Sequence, residues 1–209
     1  MIPRHQTILL IVLLTASVIM GSVLWHLRER AHQRLLQGEN SAPTQAPQVA
    51  PAEQATLMMA NDADNSVLTR ILSLPLPQNP EARARAVLGK LLDLYAAPDA
   101  AHPVPGGASS IAQVFLVPIA DPQGKVTPTG PELAVVNLTG AFAASHPSGL
   151  ETETLTVLSI CATLHANLPR VAEVRFLVDG QPRDTLAGHA DLARTYLAAE
   201  GTSSQGARP

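Results

Sequence analysis

A long uncharged hydrophobic run near the N-terminus constrains this chain more than any other feature. Thr7 to Leu27 reads TILLIVLLTASVIMGSVLWHL, and no charged residue stands between Thr7 and Trp25. At ~1.5 Å of rise per residue, a helix of this length nearly crosses a hydrocarbon layer of roughly 30 Å. A cleaved signal peptide is the alternative, but its apolar region spans only about 7–15 residues. The run is longer and no convincing cleavage site follows, so residues 1–27 are predicted to be a membrane anchor.

The charges that flank this run give a conflicting indication of its orientation. Arg4 and the α-amino group precede the run, whereas Arg28, Arg30 and Arg34 follow it. Because the positive-inside rule counts Lys and Arg, these flanks by themselves favour a C-terminal part that faces the cytoplasm.

A spacer is predicted between the anchor and the rest of the chain. Residues 28–52 contain the sequence APTQAPQVAPA, which has three prolines and no apolar periodicity. Such a segment is extended and semi-rigid, and would hold a domain away from the membrane. At the other end of the chain, residues 200–209 are predicted to be a disordered tail.

The sequence between spacer and tail, residues 53–199, fits one domain of ordinary size. Hydrophobic residues make up 46% of the chain and aromatics only 3%, so Leu, Val, Ile and Ala must build the core. Between Glu53 and Ala198, nine Lys/Arg stand against fourteen Asp/Glu, a net charge of −5. An acidic domain with few stacking side chains is a poor partner for nucleic acid. Cys161 is the only cysteine, which excludes an intramolecular disulfide and a multi-cysteine metal site.

Hydrophobic periodicity predicts the order β-β-α-β-β-α-β for this domain. The predicted strands are Ala55–Ala60, Val67–Leu76, Ile111–Ala120, Glu132–Leu138 and Val171–Val178, and the predicted helices are Pro80–Ala96 and Glu151–Leu168. A short closing helix is expected over Asp191–Ala199. Hairpins that alternate with helices indicate an α+β fold, in which both helices pack against a mainly antiparallel sheet.

Several short motifs carry a resemblance to a known family. Val135–Phe142 reads VVNLTGAF, close to the family pattern tVdLS..F, and Val171–Gly180 reads VAEVRFLVDG, close to V..V.f.vdG. The other matching segments are Pro80–Leu92, Thr154–Leu164 with its final Thr-Leu pair, and Gly188-His189 followed by Asp191-Leu192. In order and spacing, the part of the chain from Glu53 onward resembles the GerMN domain of the GerM sporulation and spore germination family.

This resemblance implies an extracytoplasmic domain that follows a signal or an anchor and serves as a binding or assembly part of envelope complexes. It also implies a fold similar to ring-building modules of sporulation and secretion machines, and it brings no catalytic residues. Asn137 replaces the usual Asp and Thr139 the usual Ser. The loop Asp121–Pro131 is longer than is typical for the family. Roles tied to these positions are therefore not carried over.

Three groups of residues are candidates for chemistry. Cys161 and His165 lie four residues apart on one predicted helix, which could place two metal ligands together, although Cys161 on an apolar stripe is more typical of a core residue. Gly106-Gly107 has only a loose likeness to a phosphate loop, because no Lys-Ser/Thr pair and no helix follow.

The third group consists of acidic residues and a histidine near the end of the last predicted strand: Asp179, Asp184, His189 and Asp191. If they converged on a pocket they could act as acid and base. The simpler interpretation is that Asp179-Gly180 forms a turn and Asp191 caps a helix.

Together these observations predict a non-catalytic binding or assembly module of the bacterial cell envelope. It is expected in the inner membrane with a single pass and an extracytoplasmic C-terminal domain, following the spacer and the resemblance against the flanking arginines. The expected partners are the membrane and either other envelope proteins or further copies of this chain. No catalytic, metal or cofactor residues are predicted. The alternatives are a small envelope hydrolase and a ligand sensor, which would use the Asp/His group or a pocket between sheet and helices.

Overall fold

A computed structural model of the chain describes residues 17, 20–22, 51–120 and 123–200. The predicted anchor, spacer and tail lie almost wholly outside these residues. None of the helices within the described part is both long and apolar enough to cross a membrane. The chain divides into two units, Met1–Gln48 and Val49–Pro209, and every element described below belongs to the second.

The second unit contains six strands and three α-helices among its described residues. The strands are β1 (Ala52–Asn61), β2 (Ser66–Pro75), β3 (Ile111–Pro118), β4 (Glu132–Leu138), β5 (Val171–Val178) and β6 (Tyr196–Leu197). The helices are α1 (Pro80–Tyr95), α2 (Gly140–Ser145) and α3 (Leu150–Asn167), and a 3₁₀ turn covers Gly107–Ser110. The α+β class is confirmed.

Strands β1 and β2 form a hairpin that is a sheet of its own. They pair over ten residues each, from Ala52↔Pro75 to Asn61↔Ser66, without a register shift. The turn is built by polar side chains: Asn61 Oδ1 accepts from the Ala63 amide, and Asp64 Oδ1 accepts from the Ser66 amide. Short Asn and Asp side chains favour such turns because they bond nearby backbone groups.

The other four strands form a second sheet in the order β3-β4-β5-β6. Its β4–β5 pair is parallel, whereas β3–β4 and β5–β6 are antiparallel. The pairing is mainly antiparallel, as predicted, but the strands form two sheets instead of one. The exception to antiparallel pairing is β4–β5. The reason is connectivity: α3 lies between β4 and β5 in sequence, and a helical crossover returns the chain parallel to the preceding strand.

Helix α1 begins and packs as its sequence predicts. Asn79 Oδ1 caps it by accepting from the Ala82 amide, and Pro80 occupies its first turn, where a missing N–H costs nothing. The apolar side chains that recur every three or four residues along α1 are buried: Ala84, Val87, Leu88, Leu91, Leu92 and Tyr95.

Helix α3 is the centre of the unit. It contacts β1, β5 and α1, and its residues from Leu155 to Leu164 are buried except Leu158. A helix buried on most sides is apolar on most sides, which explains why its apolar positions do not form a narrow stripe. The polar side chains it carries into the core therefore need partners there.

Two local predictions differ from the structure. Asp191–Ala199 forms no helix. Asp191 Oδ1 accepts from the Ala193 amide in a tight turn, and Tyr196 then pairs with Val174 in β6. Pairing with the sheet thus determines the structure of this segment, despite its weak helical pattern. The short helix α2 was not predicted. Thr139 caps it by accepting from the Phe142 amide.

Candidate functional site

The buried carboxylate of Glu153 is the most highly coordinated polar group near the predicted Asp/His cluster. Glu153 lies in the first turn of α3 with no exposed surface. Its Oε2 accepts from the amides of Ala187, His189 and Ala190 at 2.9–3.0 Å. Burial raises the pKa of this carboxyl, but these hydrogen bonds outweigh it and hold the pKa at about 2. Glu153 therefore stays ionised and anchors the loop of residues 187–190.

His189 belongs to this arrangement. Its Nδ1 lies 2.9 Å from Glu153 Oε1, and its side chain remains about half exposed. A shallow depression of about 310 Å³ adjoins it, lined by His189, Asp191 and Arg194 together with Leu150, Thr154 and Tyr196. His189 and Asp191 are thus brought to one surface.

Asp179 and Asp184 do not line that depression. Asp179 Oδ1 accepts from the Gly140 amide at 2.8 Å, and Asp179 with Gly180 forms a tight turn in which both residues have positive φ. Such a two-residue turn favours Asp-Gly. Asp184 contributes its backbone carbonyl, which accepts from the Leu192 amide. The convergence of Asp179, Asp184 and His189 that a hydrolase would need is absent from the described residues.

Cys161 and His165 do not form a paired site. Cys161 is fully buried and burial raises the pKa of its thiol well above the usual range, so it stays protonated. The His165 ring nitrogen Nδ1 lies 3.3 Å from the carbonyl of Val171. Within the part of the chain that the structure describes, no three His, Cys, Asp or Glu side chains are placed to hold a metal ion.

The Gly106-Gly107 pair has a conformational role. Both residues have positive φ, and a Cβ on Gly106 would lie 2.3 Å from Ser110 Oγ. The next amide, that of Ala108, donates to Asp93 Oδ1 at 2.7 Å, so a carboxylate of α1 already occupies the position where an anion would bind.

A buried polar chain that the sequence did not reveal crosses the unit. His102 and Thr156 are fully buried and His146 is nearly so. His102 Nδ1 lies 2.5 Å from Asp62 Oδ1, and Thr156 Oγ1 lies 2.7 Å from His102 Nε2 and 2.8 Å from His146 Nε2. His146 Nδ1 lies 2.8 Å from the Pro147 carbonyl. This buried chain joins the hairpin turn to α3 and to the end of α2.

The donors and acceptors at the two ends of this buried chain can be assigned. Burial lowers the pKa of His146, so the ring is neutral and its Nδ1–H donates to the Pro147 carbonyl. The Thr156 hydroxyl, which donates to the Thr152 carbonyl at 3.1 Å, lies between His146 Nε2 and His102 Nε2. Since a carboxylate accepts only, the Nδ1–H of His102 donates to Asp62 Oδ1. The exposed end of this chain is a carboxylate, and no nucleophile is exposed along it.

The open edge of the β1–β2 hairpin is the other prominent feature. Leu68 and Ile71 on β2 are 52% and 60% exposed. At the end of β2 a groove of about 520 Å³ opens between Leu74–Leu76 and α1, where Ala82, Ala86 and Gly89 line it. Both features leave apolar side chains at the surface.

Comparison with known proteins agrees with the motifs. A model of the family Germane, described as "Sporulation and spore germination", matches residues 56–184. The chain belongs to the Germane family. No match was found among curated proteins.

Two solved structures similar to this chain come from the sporulation protein GerM of Bacillus subtilis. Its tandem GerMN domains are 15% identical with a TM-score of 0.41, covering 71% of this chain and 46% of that one. Its first GerMN domain is 15% identical with a TM-score of 0.39, covering 69% of this chain and 96% of that one. The chain thus spans about half the length of the tandem structure.

Within the Germane match, the two departures from the family pattern have structural roles. Asn137 Oδ1 accepts from the Gly180 amide at 2.8 Å, and Thr139 caps α2. Phe142, the aromatic of the same motif, is buried. Asn and Thr both supply the acceptor oxygen that these positions require, so the motif joins the end of β4 to the turn after β5.

Proposed function

We propose that this protein is a membrane-anchored, non-catalytic binding and assembly module of the bacterial cell envelope. The N-terminal run is its single-pass anchor in the inner membrane, and the α+β domain is extracytoplasmic. Membership of the Germane family supports a role in sporulation or germination. The uncharged run from Thr7 to Trp25 supports the anchor.

The observation that supports the binding role is that the candidate polar side chains make contacts within the fold. His189 contacts the buried Glu153, Asp179 accepts from the Gly140 amide, and Cys161 is enclosed in the core. These groups hold the fold together. By contrast, the hairpin edge and the adjoining groove expose apolar side chains, as surfaces that bind other proteins do.

Orientation is tested with fusions to the full chain. Alkaline phosphatase fused after Pro209 should be active, and the same enzyme fused before Met1 should be inactive. Fluorescence of a C-terminal cytoplasmic reporter, without phosphatase activity, would contradict the proposal. Replacing Arg28, Arg30 and Arg34 by Ala should leave the phosphatase active, because it removes the charges that oppose this orientation.

The assembly role is tested by crosslinking in cells, followed by purification of the full chain from membranes. We expect covalent complexes that contain envelope proteins or a second copy of the chain. A chain truncated after Leu27, which keeps the N-terminal run but lacks the domain, should give only background crosslinking. Recovery of the uncrosslinked monomer alone from the intact chain would contradict the assembly role.

A further inference from the structure

The outer edge of β2 presents unpaired backbone groups at known positions. The amides of Thr56, Met58 and Ala60 do not bond β2; they donate to Asn167 Oδ1, Thr163 Oγ1 and the Tyr95 hydroxyl at 2.8–3.0 Å. These three residues are therefore at the non-hydrogen-bonded positions of the β1–β2 ladder. Their partners in register, Ile71, Thr69 and Val67, must also direct their amides and carbonyls away from β1.

The two edges of the hairpin consequently differ. The inner edge of β1 is capped by side chains of α1 and α3. On the outer edge, the alternation extends to Ser73, and the backbone groups of Thr69, Ile71 and Ser73 have no partner within the described residues. The side chains of all three residues are exposed. A straight edge of this kind, without a bulge, is a template for another strand.

The charged side chains around this edge are mostly positive; Asp93 also lines the groove, but its Oδ1 accepts from the Ala108 amide. Arg70 lies at the centre of β2, and Arg85 and Lys90 line the groove beside the end of the strand. None of the three forms an ion pair within the described part of the chain. Arg70 shares a sheet face with Leu74, which lines the same groove. Unpaired cations along one edge of an acidic domain indicate a partner that carries carboxylates.

We propose that β2 is a docking edge for an extended acidic peptide of a partner protein, which adds to the hairpin as a third strand. Main-chain hydrogen bonds to Thr69, Ile71 and Ser73 supply affinity. A carboxylate of the peptide meets Arg70, and apolar side chains on the opposite face of the added strand cover Ile71. This inference rests on the proposed binding function and names its surface and partner.

A second copy of the chain fits this edge less well. Two β2 strands paired antiparallel about Ile71 would place Arg70 opposite Leu72 of the copy. The two Arg70 side chains would then be diagonal neighbours about 7–8 Å apart, and like charges at close cross-strand positions are unfavourable. An acidic strand replaces this repulsion with attraction.

The test measures binding of labelled decapeptides to the purified full chain in detergent by fluorescence anisotropy. The probes are a peptide of alternating Val and Glu and its counterpart with Lys in place of Glu. The Glu peptide should bind at least about tenfold more tightly, with an affinity that falls as salt is added. Equal binding of both peptides, or no binding of the Glu peptide, would overturn the proposal.

Two variants locate the binding. Ser73→Pro removes an outward N–H but no hydrogen bond of the hairpin, and should weaken binding of the Glu peptide by about tenfold. Arg70→Glu, at an exposed side chain, should weaken it by at least as much. Arg175→Glu on β5 makes the same charge change on the other sheet and should bind normally. Normal binding by Arg70→Glu, or equal loss in Arg175→Glu, would place the peptide elsewhere.

The outcome is separable from that of the assembly role. If the wild type and both β2 variants crosslink the same envelope proteins equally, the assembly role stands and the β2 edge is wrong. If Ser73→Pro converts a dimer of the chain to a monomer while the Glu peptide does not bind, the edge is a self-association surface and the acidic partner is wrong.

Discussion

Glu153 accepts hydrogen bonds from the amides of Ala187, His189 and Ala190, so a single carboxylate organises a segment more than thirty residues away in sequence. The sequence pointed to His189 and Asp191 as neighbours of a polar site, but it held no signal for Glu153. A Glu in the first turn of a helix is ordinarily explained by the helix dipole alone. Only the tertiary fold brings the three amides to it.

Acid should destabilise the protein through this residue. The pKa of Glu153 falls from its ordinary value of 4.5 to about 2 on folding. Its contribution to stability is therefore complete above about pH 4.5 and is lost as the pH falls toward 2. Glu153→Gln should cost on the order of 2–3 kcal/mol at pH 7 and flatten the pH dependence in this range. Denaturant unfolding at several pH values measures this; the exposed Glu151→Gln should change stability by less than about 1 kcal/mol.

Replacing Ser110 should have the opposite effect on stability. Its hydroxyl oxygen is buried without a hydrogen-bond partner among the described residues. Removing an unsatisfied buried polar group removes its desolvation cost, so Ser110→Ala should be neutral or stabilise by up to about 1 kcal/mol. Ser159→Ala is the matched control, because Ser159 Oγ donates to the Thr156 carbonyl. It should destabilise by about 0.5–1.5 kcal/mol. A large loss of melting temperature in Ser110→Ala would contradict this account.

At the scale of elements, the predictions succeeded where the pattern is local. The bounds predicted for β4 and β5 are those observed, since β-branched and other apolar residues predominate in both strands. Long-range contacts determine that these two strands pair in parallel and that the hairpin forms a sheet of its own. Alternation along one strand does not encode its neighbour. The prediction for Tyr196–Leu197 was wrong for the same reason. Pairing with β5 decides the structure of this segment, and its own helical propensity does not.

The capped inner edge of β1 gives an element-scale prediction. Thr163→Val keeps the shape of the side chain but leaves the buried Met58 amide without its acceptor. The protein should lose about 1–3 kcal/mol of unfolding free energy. Hydrogen exchange should accelerate at Met58 more than at Met59, whose amide points to β2. Equal protection of both amides in the variant would show that the Thr163 hydroxyl is not the acceptor that matters.

At the scale of the whole unit, the buried chain from Asp62 to His146 joins three segments that are distant in sequence. Thr156 is its centre, because its hydroxyl lies within hydrogen-bond distance of both His102 and His146. The sequence showed isolated His and Thr residues in mixed surroundings, and the separations between them have no regular spacing. A network of this kind becomes visible only when the fold closes around it.

Replacing that central hydroxyl should weaken the unit as a whole. Thr156→Val leaves a ring nitrogen of each histidine without its partner, so we expect a loss of about 2–4 kcal/mol in unfolding free energy. Exchange protection should fall together in the hairpin turn and near the end of α2. Thr154→Val, at a half-buried position of the same helix, should remain within about 0.5 kcal/mol of the wild type. A local change confined to α3 would argue against coupling of the segments.

The unequal edges of the β1–β2 hairpin also limit stoichiometry. A strand that joins β2 can propagate the sheet only if it offers its own free edge, and β1 cannot accept a second strand because Asn167, Thr163 and Tyr95 already occupy its acceptor and donor positions. The hairpin is thus a one-ended receptor: each domain can take up a single strand there, and fibre-like growth through both sides of the hairpin is blocked by three side chains.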